Sequence, residues 1–263
     1  MLRRPGLVVL RAIFRVLDPV AVGWWAARMA RRPEQAATEM SRRVTALMRP
    51  TGQEIIGNYL RGLVLFGRPP THGAGTGFEW CWFPRRAVIT PETANVPKKL
   101  RPVLRRGDYE ARYDQDFEVI MRECQARHGQ GWLTDPLIEA YREVRDLGFL
   151  AALGMYRDGC LISGMWGIEI GRAFTVMSMF RTEDGTGALA FAQCAREVCA
   201  KGRWLYVDFG EQNANFARYG AMEMPTAEFL GLALRSLADR CSNSPATAGP
   251  GPGQDRAGSL SRG

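Results

Sequence analysis

The sequence predicts an α/β chain of the α+β kind: one mixed sheet with flanking helices, a smaller N-terminal domain before it and a helical Arg-rich extension at the start. Three observations carry this. From residue 108 onward, apolar runs of strand length alternate with amphipathic runs of helix length, which excludes an all-helical or all-strand domain. Asp158-Gly159 stands between two apolar runs, the pattern of a tight hairpin turn. Asp184-Gly185-Thr186-Gly187 joins a strand-like run to a helix-like one. Such a turn either simply connects the two or presents free N–H groups to an anion. With 263 residues, 46% hydrophobic and 24% charged, the chain can bury a sizeable core and is not a disordered, collagen-like or disulfide-stapled sequence.

In chain order, residues 7–17 form an amphipathic helix, with Leu10, Ile13, Phe14 and Leu17 on one face and Arg4, Arg11, Arg15 and Asp18 on another. Helical character continues to Pro50. Residues 53–67 carry Ile55, Ile56, Tyr59, Leu60 and Leu63 at helical spacing, so a helix is expected there. A Gly/Pro-rich loop leads to a short aromatic run at 78–82 and a strand at 87–89. Strand 109–113 precedes a helix at 116–128, whose apolar face is Phe117, Ile120, Met121 and Cys124. Asp135 is expected to cap the next helix, with Pro136 in its first turn and Gly148 as its stop. Strands 149–156, 160–166 and 173–181 follow, then a helix at 188–201 ended by Gly202. Strand 204–209 is apolar up to Asp208; a short helix at 213–219, a strand at 221–224 and a helix at 226–239 complete the body. Residues 242–263 are rich in Ser, Gly and Pro and lack an apolar face, so they are expected to be disordered. The implied division is 1–50 (extension), 51–107 (small domain), 108–240 (main domain) and 241–263 (tail).

Charge is uneven. Lys plus Arg is 35 against 27 acids, net +8; residues 1–50 alone hold ten Arg and three acids, net +7, which leaves +1 for the rest. A basic arm on a near-neutral body implies an anionic partner, a membrane surface or RNA. A second basic segment comprises Arg85, Arg86, Lys98, Lys99, Arg101, Arg105 and Arg106, beside Trp80 and Trp82. Cations next to aromatic rings suit phosphate contacts beside a base-stacking surface, although a charge run is by default a solvated face. Six cysteines without a CxxC and two histidines give no metal site and no Cys–His or Ser–His constellation. Reduced core cysteines, no secretory leader and no apolar run near the roughly 20 residues of a membrane span point to the cytoplasm.

Several strings in order resemble one family. Trp80-Cys81-Trp82-Phe83-Pro84-Arg85-Arg86 followed by Ile89-Thr90-Pro91-Glu92 is similar to a WWSPxPR stretch, and Val96-Pro97-Lys98-Lys99-Leu100-Arg101 to an HVxKSLRR segment. Trp132-Leu133 with Ile138-Glu139-Ala140-Tyr141 looks like TWI…EAY, Leu161-Ile162-Ser163-Gly164-Met165-Trp166-Gly167 like LVGGxYG, and Ser178-Met179-Phe180 like the SMF of GESMFS. Val207-Asp208, Asn213 and Gly220-Ala221 keep the spacing of IDxQxxNxHLxSLGA. Over residues 53–235 the chain thus resembles the leucyl/phenylalanyl-tRNA–protein transferases, whose catalytic domain has the GNAT acyltransferase fold. The chain departs from them at Met177 (family Glu), Gly187-Ala188 (Ser-Lys), Gly210 (Gln), Asn215 (His) and 151–154 (HSxE), and the early GGDL is missing.

The resemblance implies an aminoacyltransferase that moves an amino acid from aminoacyl-tRNA to an amine, a protein N-terminus or a small molecule, with no cofactor. Asp208 would orient or deprotonate the amine, Asn213 would orient Asp208 or hold the ester carbonyl, and Glu211 is a weaker candidate for the lost acidic function. By position, Met165, Phe174, Met179 and Phe191, with Trp132 and Tyr141 nearby, are expected to hold the aminoacyl side chain, and Trp80 to stack the terminal adenine. Each of these apolar residues also fits a plain core role. Two other classes remain open at this level: an acyl-CoA-dependent N-acyltransferase of the same fold, with residues 184–187 cradling pyrophosphate, and a non-catalytic RNA-binding module.

Overall fold

The computed structural model describes residues 49–68, 77–128 and 131–242. Residues 1–48 of the Arg-rich extension, the tail beyond Ser242 and His72 lie outside the described residues, as does the side chain of His128.

A capping box at Thr51 and Glu54 starts α1 (Gly52–Tyr59). The expected long helix stops there. Gly62 takes φ +89°, and Leu63-Val64-Leu65-Phe66 becomes β1 (Leu63–Arg68), which pairs antiparallel with β2 (Gly77–Trp82) in a separate two-stranded sheet. A run of four apolar residues fits a buried strand as well as a helix face, and the left-handed glycine decides between them. Next come β3 (Arg85–Ile89), α2 (Arg101–Arg106), β4 (Glu110–Tyr113), α3 (Phe117–His128) and α4 (Asp135–Asp146). The N-cap position of α4 is Thr134, with Asp135 already in the first turn. The hairpin of β5 (Leu150–Arg157) and β6 (Cys160–Ile170) leads to β7 (Ala173–Arg181) and α5 (Thr186–Cys199). The chain then forms β8 (Tyr206–Asp208), α6 (Ala214–Ala217), β9 (Met222–Pro225) and α7 (Thr226–Ser242).

The large sheet has seven strands in the order β4-β5-β6-β7-β8-β3-β9. Only β7 and β8 run parallel, and they pair over just Ala173–Thr175 against Tyr206–Asp208. Between Trp166 and Gly167 the β6–β7 register shifts, so that Met177 is an extra residue on β7, a bulge.

The sheet separates two cores. One face carries α5 and α2 and buries Ala87, Ile89, Leu153, Met165, Phe174, Phe191, Trp204 and Val207. The other carries α1, α3, α4, α7 and the small sheet, and buries Tyr59, Trp80, Val88, Tyr141, Trp166 and Phe229. The division at residue 107 therefore does not separate two cores. β3 is an interior strand of the large sheet, between β8 and β9, and α1 and β1 share one core with α3 and α4. Composition gave no sign of this, because the pairing of β3 with β8 closes over more than a hundred residues of intervening chain.

Gly220 lies where the α6 turn meets the loop after β3. Its φ is +91°, and a Cβ there would sit 1.9 Å from the Thr93 carbonyl oxygen. Gly220→Ala is expected to lower stability by at least about 1–3 kcal/mol, from left-handed strain alone. The urea unfolding midpoint checks this, with Gly107→Ala, left-handed but free of contacts, separating strain from clash.

Candidate active site

β8 ends on Asp208, whose carboxylate is fully buried. The strand is too short to be held by its ladder alone, and side-chain bonds complete the job. Arg86 Nη1 of β3 donates to Asp208 Oδ2 at 3.2 Å, and Thr175 Oγ1 of β7 donates to the same oxygen at 2.9 Å. The Gly210 N–H donates to Oδ1 at 2.8 Å. Tyr59 Oη of α1 lies 2.5 Å from Thr175 Oγ1; since Thr175 donates to the carboxylate, Tyr59 is the donor in that pair. The Arg86 guanidinium, 2% exposed, also reaches the Gly62 carbonyl at 3.5 Å and sits 5.2 Å from the centroid of the Phe83 ring, while its Nε has no partner among the described residues. Burial pushes the Asp208 carboxyl up from the ordinary carboxylate range, opposed by the Arg86 charge and by the hydrogen bonds from Gly210 and Thr175. Burial, then the Asp208 charge, pushes the Tyr59 hydroxyl up as well.

The loop after β8 is tied to β3. The Ala87 N–H donates to the Gly210 carbonyl at 2.6 Å and the Phe209 N–H to the Ala87 carbonyl at 2.9 Å. Two residues beyond Glu211, which is exposed, comes Asn213, the N-cap of α6. Its Oδ1 accepts from the Asn215 and Phe216 amides at 2.9 and 3.1 Å. The side chain is exposed, and among the described residues its carboxamide NH₂ donates to none.

The expected substrate residues are divided by the sheet. Trp80, Trp132 and Tyr141 lie on the Asp208 face, whereas Met165, Phe174, Met179 and Phe191 lie on the α5 face. Met165, Phe174 and Tyr141 are completely buried, and Tyr141 Oη donates to the Leu65 carbonyl at 3.0 Å, pinning α4 to β1. Trp80 is only 3% exposed, so its ring is packed inside and offers no open stacking surface. On the Asp208 face, a partly exposed aromatic rim stands instead: Phe66, Trp82, Phe83 and Trp132, with Met177 raised by the bulge. Phe66 meets Trp132 edge-on at 5.1 Å and Phe83 at 6.3 Å. Phe66 carried no signal of its own; Trp82 and Phe83 stood in the aromatic motif string without an assigned role, and Met177 was marked only as the place of the family's Glu.

The basic segment divides too. Arg86 is inside, its charge spent on Asp208, because position 86 faces the core in a strand whose even residues point to the Asp208 face. Arg85 pairs with Glu223 and Arg106 with Asp108, while Lys98, Lys99, Arg101 and Arg105 are exposed. At the α5 N-terminus, Gly185 is a left-handed N-cap without a side-chain cap, but Glu183 and Asp184 are exposed there beside it. Both carboxylates are paired with arginines, Glu183 with Arg157 and Asp184 with Arg181. Among the described residues no cluster of three or more His, Cys, Asp or Glu could hold a metal ion, and no helix is long and apolar enough to cross a membrane.

Comparison with known proteins gives a family match. The family model described as leucyl/phenylalanyl-tRNA protein transferase matches residues 88–233. A leucyl/phenylalanyl-tRNA–protein transferase of Nitrosospira multiformis is 33% identical over 196 residues, 70% of this chain and 83% of that protein. The one of Myxococcus xanthus is 30% identical over 78% of this chain and 86% of its own length, and that of Rubrobacter xylanophilus 31% identical over 70% and 93%. Likeness to solved structures is weak: the C-terminal domain of a putative lysylphosphatidylglycerol synthetase from Agrobacterium fabrum gives a TM-score of 0.38 at 13% identity, over 67% of this chain and 66% of that one.

The buried pair has a testable energetic signature. Removing one partner leaves an uncompensated charge, so Arg86→Met is expected to cost about 3–5 kcal/mol, and Arg86→Met with Asp208→Leu less than the sum of the two single changes. The pH dependence follows from the direction of the Asp208 shift. A carboxyl whose folded-state value is raised holds its proton more tightly when folded, so its contribution is complete at acid pH and is lost as pH rises through that value. Arg86→Met removes the charge that opposes the shift. Its unfolding midpoint in urea should therefore fall more steeply between mildly acidic and neutral pH than that of the wild type.

Proposed function

Because the chain belongs to the leucyl/phenylalanyl-tRNA–protein transferase family, we propose that it moves an amino acid from aminoacyl-tRNA onto the amino group of a protein N-terminus, with Asp208, Asn213 and the aromatic rim at the reacting end and the exposed basic segment on the RNA. The observation that carries this reading is the family match over residues 88–233, which contains Asp208, Asn213 and every exposed residue of the basic segment except Arg85.

The chemistry asks little of the protein. The amine nitrogen attacks the ester carbonyl carbon, a C–N bond forms, the C–O bond to the ribose breaks, and the amine's proton ends on the departing ribose oxygen. The ester is already activated, so the contribution of the protein is orientation and the handling of one proton. Asp208 is a positioning residue in this reading. Its oxygens are engaged by Arg86, Thr175 and Gly210, and through Gly210 it fixes the loop that presents Asn213. Asn213 then donates from its carboxamide NH₂ to the ester oxygen as negative charge develops there. Phe66, Trp82, Phe83 and Trp132 offer an apolar wall for a leucyl or phenylalanyl side chain, with Tyr141 packed behind them. Lys98, Lys99, Arg101 and Arg105 meet phosphates, contacts that set register rather than sequence preference. Glu211, exposed next to Gly210, is placed to meet a cationic N-terminus.

Transfer of labelled leucine or phenylalanine from charged tRNA to a peptide with a free N-terminus tests the reading, and transfer that ribonuclease does not abolish would sink it. Asn213→Asp separates the two roles of that residue, because Asp caps a helix as well as Asn but brings no NH₂. The expected result is an unchanged melting temperature with kcat lower by about 10²–10³, the usual loss for one donor to an oxyanion. Lys98→Ala with Lys99→Ala should weaken tRNA binding and flatten its salt dependence by about two phosphate contacts, read from filter binding across a salt series.

A further inference from the structure

A depression opens between α2 and α5, on the sheet face away from Asp208, lined by Ala94, Val96, Leu104, Cys199 and the arginines 101, 105 and 196. Two of these arginines come from the basic segment; Arg196 comes from the last turn of α5, almost a hundred residues later. All three guanidiniums are without a carboxylate partner among the ion pairs of the described residues, whereas Arg85, Arg106, Arg142 and Arg203 all have one. Two of them are held by backbone carbonyls: Arg101 Nε donates to Val96 O at 2.8 Å and Arg196 Nη1 to Leu104 O at 3.3 Å. Such bonds aim a guanidinium without neutralising it. Three uncompensated cations over an apolar floor match a group that is anionic at one end and flat or apolar beside it.

We propose that this depression is a phosphodiester subsite, in which Arg196 joins Arg101 and Arg105 on one backbone phosphate of the RNA while the floor of Ala94, Val96 and Leu104 takes the adjoining sugar or base. The inference rests on the tRNA reading above and adds to it a residue outside the basic segment and a definite place. Planar guanidiniums grip a phosphate in two-pronged fashion, which a lone lysine cannot do. The subsite lies on the sheet face opposite the Asp208 carboxylate. Ala94 follows the C-terminal end of β3, and Cys199 closes α5 at the end of the sheet where β8 begins, while Asp208 closes β8 at the other end and on the other face.

Two measurements test this on the full chain. Cys199 is exposed in the depression and Cys160 is exposed at the β5–β6 turn, so alkylation with N-ethylmaleimide, read by mass spectrometry, reports both in one sample. Uncharged tRNA is expected to slow alkylation of Cys199 severalfold relative to Cys160. In parallel, Arg101→Ala, Arg105→Ala and Arg196→Ala combined should reduce the slope of log affinity against log salt by about one phosphate contact, while Arg196→Ala alone, which leaves two cations on that phosphate, should weaken tRNA binding severalfold and Arg196→Lys should restore most of it. Wild-type slope in the triple variant, wild-type affinity in Arg196→Ala, or no protection of Cys199, overturns the subsite; if the Lys98→Ala, Lys99→Ala protein still shows a reduced slope, the tRNA reading survives that result. Absence of tRNA binding by the wild type at low salt removes the tRNA reading itself, a different and separately visible outcome.

Discussion

The ion pair between Arg86 and Asp208 is what the rest of the site hangs on. It joins an N-terminal strand to a strand more than a hundred residues later, and through Thr175 and Tyr59 it brings in a third strand and the first described helix. Two charges taken out of water gain little by themselves, since desolvation offsets much of their attraction. Their value lies in what each is forced to do. Arg86 must have an anion, and only strand β8 supplies one; Asp208 must have donors, and β3, β7 and the Gly210 amide supply them. Any other register of β3 against β8 would strand a charge in the core. The pair therefore selects one alignment of the short strands that carry the site, where three-residue ladders alone would leave it loosely specified.

That alignment explains why residues of the basic segment, which are near neighbours in sequence, end up apart. Arg85 and Arg86 are consecutive, yet one is exposed and the other buried, because a strand sends alternate side chains to opposite sides. The chain then crosses the end of the sheet through 90–100 and lays α2 on the α5 face. A single basic cluster in the sequence becomes one structural cation and a separate solvated patch.

Much of the fold was legible. Asp158-Gly159 makes the β5–β6 turn, with Asp158 at φ 52° and Gly159 at φ 77°; β7 and the helix stops at Gly148 and Gly220 follow from residue type. Local chemistry decides these features, so local sequence reveals them. The rest depended on partners far along the chain. Leu63–Phe66 fitted either period, and β3 could be placed in the large sheet only once its long-range pairing was known. In the site, Asp208 and Asn213 were visible as a polar pair after an apolar strand. The split of the apolar candidates between two faces was not, because Trp80 and Tyr141 sit on the small sheet and on α4, and which face of the large sheet those elements cover is set by packing far along the chain. Arg86 was assigned to the surface for a related reason: charge marks a residue as solvated by default, and only a buried counter-charge reverses that. Phe66 sits in the segment read as one helix, and the break at Gly62 is what puts it on a strand.

The separation of the basic patch from Asp208 has a consequence for turnover. In the proposed reading, phosphate contacts made on that face do not sense whether the amino acid is still attached, so they favour charged RNA, the transition state and discharged RNA alike. Interactions of that kind lower the concentration at which substrate binds without lowering the barrier between bound states. They also retain the discharged product. In the proposed reading the rim and the Asn213 loop are the parts that meet the amino acid, and they alone distinguish loaded from spent RNA. Affinity and discrimination then belong to different groups of residues, and added salt should relieve product inhibition while leaving the chemical step untouched.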